Sequence, residues 1–363
     1  MAIPAFEKHP LSRYLRDPSV ALAFNASTWE QLLRAARHGY LLSRVAWMAN
    51  QNGLIGQLPE KVEFHLKSAL RVAESQVTSV NWEIFQIQKA LAGSAIPFVL
   101  LKGAAYIKGG FEPAHGRLLS DVDIMVPKVR LNDTEKALYN HGWFPTKLDA
   151  YDQRYYREWM HELPPMQHLR RGTTLDVHHT ILPPTALLKP DVDKLWASVC
   201  EIENTKDVFV LSPVDMVLHS ATHLFHDGEL EHGLRDLVDI DALIRQFSRQ
   251  DQFFQALVAR ADELHLGRPL FYALKYAKAF LHTPIPDDIF SSVEGFANHS
   301  RMVRSIMAVV VPKSIGSILE DQPSNTSRVS QFAMYVRSHY VRMPMHLLLP
   351  HLLRKQIVRE STR

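Results

Sequence analysis

The chain has 363 residues, of which 46% are hydrophobic and 22% are charged, the composition of a globular protein with room for two or three domains. Its single cysteine, Cys200, excludes an internal disulfide and favours a reducing compartment. The N-terminal residues lack the apolar stretch of a signal peptide, and no apolar run approaches the roughly eighteen residues that cross a bilayer. The sequence therefore predicts a cytoplasmic protein without a transmembrane segment.

The net charge of +3 is too small to indicate nucleic-acid binding by itself, but it is unevenly distributed. Residues 302–363 contain nine Lys or Arg and three Asp or Glu, an excess of six positive charges. This segment is either a solvated basic face or a contact surface for a polyanion or an anionic lipid. Its part at 345–359 is apolar with a basic tail, but Pro350 interrupts it and favours a packed terminal helix over a membrane-surface helix.

The first ninety or so residues are predicted to be helical. Residues 27–50 begin with a Ser27-x-x-Glu30 capping box and continue with helical spacing, which predicts one helix. Residues 59–95 form a long amphipathic pattern that opens with a proline and ends near Gly93.

The pattern then changes to short strands and helices. Apolar runs predict strands at 96–101 and 120–126, with a brief helix after the Lys102-Gly103 turn between them. A helix at 131–143, ended by Gly142, follows the second strand. Three further strands are predicted within 153–162, 164–172 and 173–181, the last two joined by a turn at Arg171-Gly172.

From about residue 191 the pattern is helical again, apart from a strand at 207–211. Ser212 and Pro213 mark the start of the next helix. We therefore expect an α+β fold, with a small mixed β-sheet core at 96–182 between an N-terminal helical region at 1–95 and a C-terminal helical region at 183–363.

The motif Asp-x-Asp occurs three times, as Asp191/Asp193, Asp239/Asp241 and Asp121/Asp123. The first pair lies at a predicted helix start, where acids favour the positive end of the helix dipole. The second lies on a predicted helix, where residues two apart point about 200° away from each other. Only the third lies on a predicted strand, where alternate residues share a face. Two carboxylates about 7 Å apart on one face are a natural metal-binding pair.

A third carboxylate is offered by the predicted strand "TTLDVHHTI", in which Asp176 and His178 share the polar face. If this strand pairs beside the first, Asp176 joins Asp121 and Asp123. The alternative is that Asp176 caps a turn or pairs with Arg170 or Arg171.

Upstream, Lys102 and Gly103 form a strand-to-helix turn. Backbone N–H groups at such a turn cradle phosphate, and the lysine would neutralise its charge. Arg117 and Ser120 lie on the approach to the aspartate pair, where triphosphate oxygens would be expected.

Together, "LLKGAAYIKGGF", "RLLSDVDIMV" and "TTLDVHH" resemble the DNA polymerase beta-like nucleotidyltransferase superfamily. More narrowly, they resemble its bacterial group usually described as uncharacterised nucleotidyltransferases. That group has Lys-Gly in place of the commoner Gly-Gly or Gly-Ser, and an Asp-hydrophobic-His that Asp176-Val177-His178 matches. The downstream helical stretch with His219 and His223 is also similar to the group.

The resemblance implies an enzyme that moves a nucleoside monophosphate from a nucleoside triphosphate such as ATP to a hydroxyl of an unknown acceptor, which is a small molecule, an RNA or a protein. It implies two Mg²⁺ ions, replaceable by Mn²⁺, held by the catalytic residues Asp121, Asp123 and Asp176, with Asp176 also helping to accept the hydroxyl proton. The nucleotide-binding residues it implies are Lys102, Gly103, Arg117, Ser120 and His178.

Three alternatives stay open. A similar arrangement occurs in toxin-like nucleotidyltransferases that modify RNA or protein, for which the basic C-terminal segment would serve the acceptor. His219, His223 and His226-Asp227 suggest instead a histidine-aspartate metal phosphohydrolase, because histidines four apart share a helical face. A non-catalytic nucleotide-binding module ranks lower, since all three acids are present.

Overall fold

A mixed seven-stranded sheet runs through the chain in the order β3-β4-β5-β2-β1-β7-β6. The structure is a computed structural model that describes residues 4–227, 230, 232–297 and 300–352. The strands are β1 (Phe98–Leu100), β2 (Asp121–Met125), β3 (Trp143–Pro145), β4 (Met166–His168), β5 (Thr174–His178), β6 (Cys200–Glu201) and β7 (Val208–Val210). The pairs β1–β7 and β2–β5 are parallel and the others antiparallel, which confirms the predicted α+β class with a mixed sheet.

In sequence order, helices come before, among and after the strands of this sheet. Those before and among the core strands are α1 (Pro4–Lys8), α2 (Pro10–Arg16), α3 (Ala26–His38), α4 (Leu42–Gln51), α5 (Glu60–Ala92), α6 (Lys102–Gly109), α7 (Leu131–Asn140) and α8 (Ala150–Arg154). Those after them are α9 (Val192–Trp196), α10 (Pro213–Thr222), α11 (Gly233–Phe247), α12 (Phe253–Glu263), α13 (Gly267–Leu281), α14 (Asp287–Phe296), α15 (Arg301–Gly316) and α16 (Asn325–Arg342). Two π-helical turns, Tyr155–Trp159 and His223–Asp227, extend α8 and α10.

One contiguous hydrophobic core joins the sheet to both helical regions, since it reaches from Phe6 to Met334. Arg16 on α2, for example, donates from Nε to the carbonyl oxygen of Phe280 on α13 at 2.8 Å. Two strands of the sheet, β6 and β7, come from beyond residue 182. The division of the chain into an N-terminal helical region, a core and a C-terminal helical region, with boundaries at residues 95 and 182, stays a prediction.

The long helix is confirmed as α5, but the prediction of one helix at 27–50 is wrong. The chain forms α3 and α4 instead, separated at Gly39–Leu41, where Tyr40 has a left-handed φ of 54°. The N-cap is Asn25, whose side chain accepts from the Thr28 amide at 2.9 Å, and not Ser27. Asparagine competes well for this position because its short side chain reaches the free amides of the first turn.

The strand predicted at 153–162 is also wrong, because most of it is helical. The Asp149 side chain accepts from the amides of Tyr151 and Asp152 and starts α8, which the π-helical turn continues. An ion pair one turn apart, Arg154 to Glu158 at 2.8 Å, supports this helix. The short edge strands β3 and β6 were not predicted, since two or three residues are too few to show a period.

The sequence predicts no transmembrane segment. Arg301–Leu319, with a mean hydropathy of 1.5, is nevertheless long and apolar enough to cross a membrane by length and composition alone. One such helix is weak evidence, because core helices pass the same test and 39% of this one is buried against the rest of the chain.

Residues 345–352 are helical through Pro350, so this proline does not interrupt the stretch. Residues 353–363, which carry four of the nine C-terminal basic side chains, lie outside the described part of the chain.

Candidate active site

The polar face of β2 and β5 brings the predicted acids together. Asp121 and Asp123 point to one face of β2, while Val122 and Ile124 are buried on the other. In the parallel pairing of the two strands, Asp123 lies directly opposite Asp176. Paired residues of adjacent strands project to the same face, so the expectation that the three aspartates share one face of neighbouring strands is confirmed; their roles stay a prediction.

Asp123 is the most enclosed of the three, with 6% of its surface exposed. Its Oδ1 accepts from Lys102 Nζ at 3.0 Å and from His178 Nε2 at 3.1 Å. Burial raises the pKa of Asp123, but the Lys102 charge and the His178 hydrogen bond outweigh it and hold this pKa well below the usual range. Burial likewise lowers the pKa of Lys102, and Asp123 with its neighbours more than reverses that, so Lys102 is charged.

Asp176 has the opposite electrostatic situation. Burial, followed by the negative charges of Asp123 and Glu162, raises its pKa to about 7. Its Oδ1 is buried and accepts no hydrogen bond from the described residues. The alternative that Asp176 pairs with Arg171 does not apply, because that guanidinium pairs with Glu83. Asp176 is thus a half-buried carboxylate whose buried Oδ1 has unused acceptor capacity among the described residues.

Asp121 lies at the start of β2 and is partly exposed. Burial and then the neighbouring Asp123 raise its pKa. The Ser120 hydroxyl donates to Asp121 Oδ1 at 3.1 Å, so the serine contacts the acid pair directly. The negative charges of these neighbouring acids repel each other, and a bound metal cation would offset this repulsion.

The three aspartates fit a hard divalent cation. They offer only oxygen atoms, the ligands Mg²⁺ prefers, and Asp176 Oδ1 has no hydrogen-bond partner among the described residues. The Lys102 ammonium lies on Asp123, in the position that a cation would take. A different group of described residues, His161, Glu162 and His178, has possible metal-ligand atoms that already lie within 4.8 Å of one another.

The sequence did not point to His161 or Glu162. An isolated antiparallel bridge between Glu162 and His178 places them beside the end of β5. His178 Nδ1 lies 3.5 Å from Glu162 Oε2, and burial followed by the hydrogen bond to Asp123 and the charge of Glu162 leaves the His178 pKa above its ordinary value. No spacing rule links residues brought together by a single bridge, so only alignment of the 161–163 segment along β5 could have revealed them.

The turn after β1 is built for close packing. Lys102 carries a left-handed φ of 45°, an uncommon conformation for a residue with a side chain. A Cβ on Gly103 would lie 2.7 Å from Leu119 Cγ, so a glycine is required here by contact and not by its φ. This contact holds the N-terminus of α6 against the loop that leads to Ser120 and Asp121.

Arg117 has two acidic partners on α11, the buried Asp239 and the half-buried Asp236. Its Nε lies 2.8 Å from Asp239 Oδ2 and its Nη2 lies 3.8 Å from Asp236 Oδ1. Burial raises the pKa of Asp239 to about 6 although Arg117 opposes the shift. The arginine therefore fastens the loop before β2 to α11, and a contact with phosphate stays a prediction.

Two cavities meet at residues 118–120 and Arg235. The smaller, about 130 Å³, is lined by Lys102, Gly103, Arg117, Asp121 and Asp123 among others. The larger is an open cleft of about 810 Å³ between α5 and the same loop. Its polar lining includes Arg71, Ser75, Ser79, His232 and Arg235. The cleft has the volume of a small-molecule site.

His219 on α10 and His223 in the π-helical turn that follows it lie close to this site. His219 is buried, and burial followed by the Lys102 charge lowers its pKa well below the ordinary value. His223 Nδ1 lies 3.9 Å from Asp236 Oδ2. Within the described residues neither histidine belongs to a group of converging metal ligands, and the Asp227 side chain is outside them.

Carboxylates on adjacent strands that face a basic strand-to-helix turn define the class of an enzyme acting on phosphate groups. The model of the family described as "Uncharacterised nucleotidyltransferase" matches residues 25–282, and the chain belongs to this family. Its general activity is accordingly nucleotidyl transfer. No curated protein and no solved structure matches the chain. The match begins within the N-terminal helices, well before the core motifs at 96–182 that carry the resemblance in the sequence.

Proposed function

We propose that the protein is a metal-dependent nucleotidyltransferase that moves a nucleoside monophosphate from a nucleoside triphosphate to an acceptor hydroxyl, with release of pyrophosphate. The observation that carries this proposal is the register of β2 and β5, which sets Asp176 opposite Asp123 and on the face of Asp121. Asp121, Asp123 and Asp176 would hold two Mg²⁺ ions, or Mn²⁺ in their place. When bound, these ions would neutralise the triphosphate and stabilise the charge that develops during transfer.

The protein residues have distinct tasks in this proposal. The acceptor oxygen forms a bond to the α-phosphorus as the bond from that phosphorus to the pyrophosphate oxygen breaks. Asp176, which lies opposite Asp123 in the pairing of β2 with β5, takes the hydroxyl proton. Ser120 and the first amides of α6 contact phosphate oxygens, since the early amides of a helix have no partner within the helix.

Lys102 changes partner in this proposal. Its ammonium lies 3.0 Å from Asp123 Oδ1. A triphosphate with its metal ions would replace the lysine at Asp123 and offer it phosphate oxygens instead. His178 stays on Asp123, where its hydrogen bond orients the carboxylate. We therefore assign His178 to positioning Asp123, with the nucleotide contact predicted from the resemblance as a secondary task.

The cleft of about 810 Å³ takes the part of the substrates that the cavity of about 130 Å³ beside the aspartates cannot hold. Arg71, Arg235 and His232 line it, and none of the described residues that line it is an Asp or Glu. This lining favours an anionic or phosphorylated ligand. The proposed location is the cytoplasm, where nucleoside triphosphates and Mg²⁺ are supplied.

The test incubates the purified full chain with each of the four α-³²P-labelled nucleoside triphosphates, Mg²⁺ or Mn²⁺, and fractionated cell extract. We expect a labelled product and pyrophosphate from at least one nucleotide, both abolished by chelation with EDTA. The matched control is Asp241→Asn, which removes an Asp of the same motif from α11. No labelled product from any nucleotide, together with no effect of Mg²⁺ and nucleotide on the melting temperature, would contradict the proposal.

A further inference from the structure

We propose that His161, Glu162 and His178 form a second, separate metal site that binds a transition-metal ion of the Zn²⁺ type. Their ligand atoms lie within 4.8 Å of one another at the end of β5. The site shares the sheet with the three aspartates but uses none of them as a ligand.

The donor set selects the metal. Two imidazole nitrogens and one carboxylate are a common ligand set for Zn²⁺, whereas Mg²⁺ prefers oxygen atoms alone. His178 Nδ1 and Glu162 Oε2 lie 3.5 Å apart. Ligand atoms at bond lengths of about 2.0–2.2 Å around a tetrahedral Zn²⁺ are themselves about 3.3–3.6 Å apart, so this pair already has the spacing of two ligands of one ion.

His161 supplies an independent observation. Only 6% of its surface is exposed, its ring centre lies 5.0 Å from that of His178, and its Nδ1 has no hydrogen-bond partner among the described residues. A buried ring nitrogen without a hydrogen-bond partner destabilises the fold. A metal ion bound between His161, Glu162 and His178 would give the His161 ring a partner.

The hydrogen bond between His178 and Asp123 determines which ring nitrogen of His178 faces Glu162. His178 Nε2 donates to Asp123 Oδ1 at 3.1 Å, which leaves Nδ1 as the nitrogen that faces Glu162. In zinc sites, a histidine that binds the metal through one ring nitrogen usually donates a hydrogen bond from its other ring nitrogen to a carboxylate, which fixes the orientation of the ring. The ion would tie the 161–163 segment to β5 and fix the ring that orients Asp123.

The test removes metal from the full chain with EDTA, adds Zn²⁺ in the presence of millimolar Mg²⁺, dialyses, and counts bound zinc by elemental analysis. We expect about one zinc ion per chain in the wild type and in Asp121→Asn, which alters only the aspartate site. His161→Ala and the nearly isosteric Glu162→Gln should each weaken zinc binding at least ~100-fold. His168→Gln, which changes a buried histidine on β4, is the matched control and should keep the zinc.

Co²⁺ gives a second measurement on the same proteins, because cobalt in a four-coordinate nitrogen and oxygen site absorbs visible light. We expect this band in the wild type and its loss in His161→Ala, with the far-ultraviolet circular dichroism unchanged in Glu162→Gln as the check on folding. Zinc retained at full affinity in both ligand variants overturns the proposal, as does zinc lost only in Asp121→Asn, which would assign it to the aspartates. Neither result depends on nucleotidyl transfer, so failure of this site is distinguishable from failure of the proposed function.

Discussion

Two copies of Asp-x-Asp in this chain have opposite surroundings. On α11, Asp239 pairs with Arg117 at 2.8 Å, while Asp241 pairs with Arg245 at 2.8 Å and accepts from Thr283 at 2.6 Å. Each helical acid thus has a cation of its own. On β2, Asp121 and Asp123 face the same side and meet Asp176 from the next strand.

The difference shows how secondary structure decides what a motif does. Residues two apart on a helix point about 200° from each other and find separate partners, whereas on a strand they point the same way. On the strand pair, Lys102 and His178 both contact Asp123, and within the described part of the chain neither Asp121 nor Asp176 forms an ion pair. The surplus of negative charge there attracts a cation, while the helical pair is already neutralised.

The largest expected effect separates the two motifs directly. Asp123→Asn should lower transfer by at least ~1,000-fold and abolish the rise in melting temperature caused by Mg²⁺ with nucleotide, because it removes the carboxylate shared by Lys102, His178 and the proposed metal ions. Asp241→Asn should leave both properties nearly unchanged. A normal Mg²⁺-dependent shift in Asp123→Asn would show that the strand pair does not hold the ions.

The next prediction separates catalysis from binding within the strand site. Asp176→Asn should keep nucleotide binding within a few fold but lower transfer by several orders of magnitude, because accepting the proton is a transition-state task. Calorimetric binding and single-turnover transfer measure the two effects. Full transfer in this variant would move the third acid elsewhere, with Asp149 or Asp152 next to test.

Lys102→Ala should behave differently from either aspartate variant. Nucleotide affinity should fall by ~10-fold with a smaller loss of transfer at saturation, since the lysine neutralises phosphate charge. Mg²⁺ alone should bind more tightly than to the wild type, because the ammonium no longer competes for Asp123. Weaker Mg²⁺ binding in Lys102→Ala would contradict the exchange of partners proposed for the lysine.

A smaller effect is expected from the turn that positions the strand pair. Gly103→Ala places a Cβ 2.7 Å from Leu119 Cγ and should cost about 1–2 kcal/mol of unfolding free energy, with an increased KM for the nucleotide. Gly93→Ala is the control, since nothing lies within 4 Å of its Cβ and its φ is −62°. Chemical denaturation should show no loss of stability there, and an equal loss in both variants would refute the packing argument.

The smallest effects are differences in how stability depends on pH. The pKa of Asp239 is raised to about 6 by burial against the opposing effect of Arg117, so its contribution is present below about pH 4 and lost as pH rises through 6. Urea unfolding should therefore show a more positive slope of stability against pH in Asp239→Asn than in the wild type across this window. An unchanged slope would mean that Arg117 balances the cost of burial.

His219 should have the opposite sign. Burial lowers its pKa well below the ordinary value of 6.5, so its contribution is present above about pH 6.5 and lost as pH falls. His219→Gln should remove part of the acid destabilisation of the wild type below pH 6.5, measured in the same urea series. Greater acid sensitivity in this variant would contradict a neutral buried imidazole.

Much of the site followed from local pattern, as Asp121 and Asp123 illustrate. Alternation of polar and apolar residues is a property of the strand itself, so it could be read before the fold was known. The helix stop near Gly93 and the start at Ser212 were likewise correct, because caps depend on neighbouring residues only. The predicted strand at 153–162 failed because the Asp149 cap and the Arg154–Glu158 ion pair outweighed its aromatic content.

The sequence by itself determined that Asp121 and Asp123 share a face and that a glycine-containing turn precedes them, whereas the pairing of β2 with β5 brought Asp176 to that face. Only the tertiary structure decided that Lys102 and His178 lie on Asp123, that Arg117 pairs with α11, and that His161 and Glu162 approach the end of β5. The physical reason is range. Periodicity and capping are set within a few residues, whereas an ion pair or a β-bridge between distant segments depends on how the whole chain packs, for which this sequence contains no local signal.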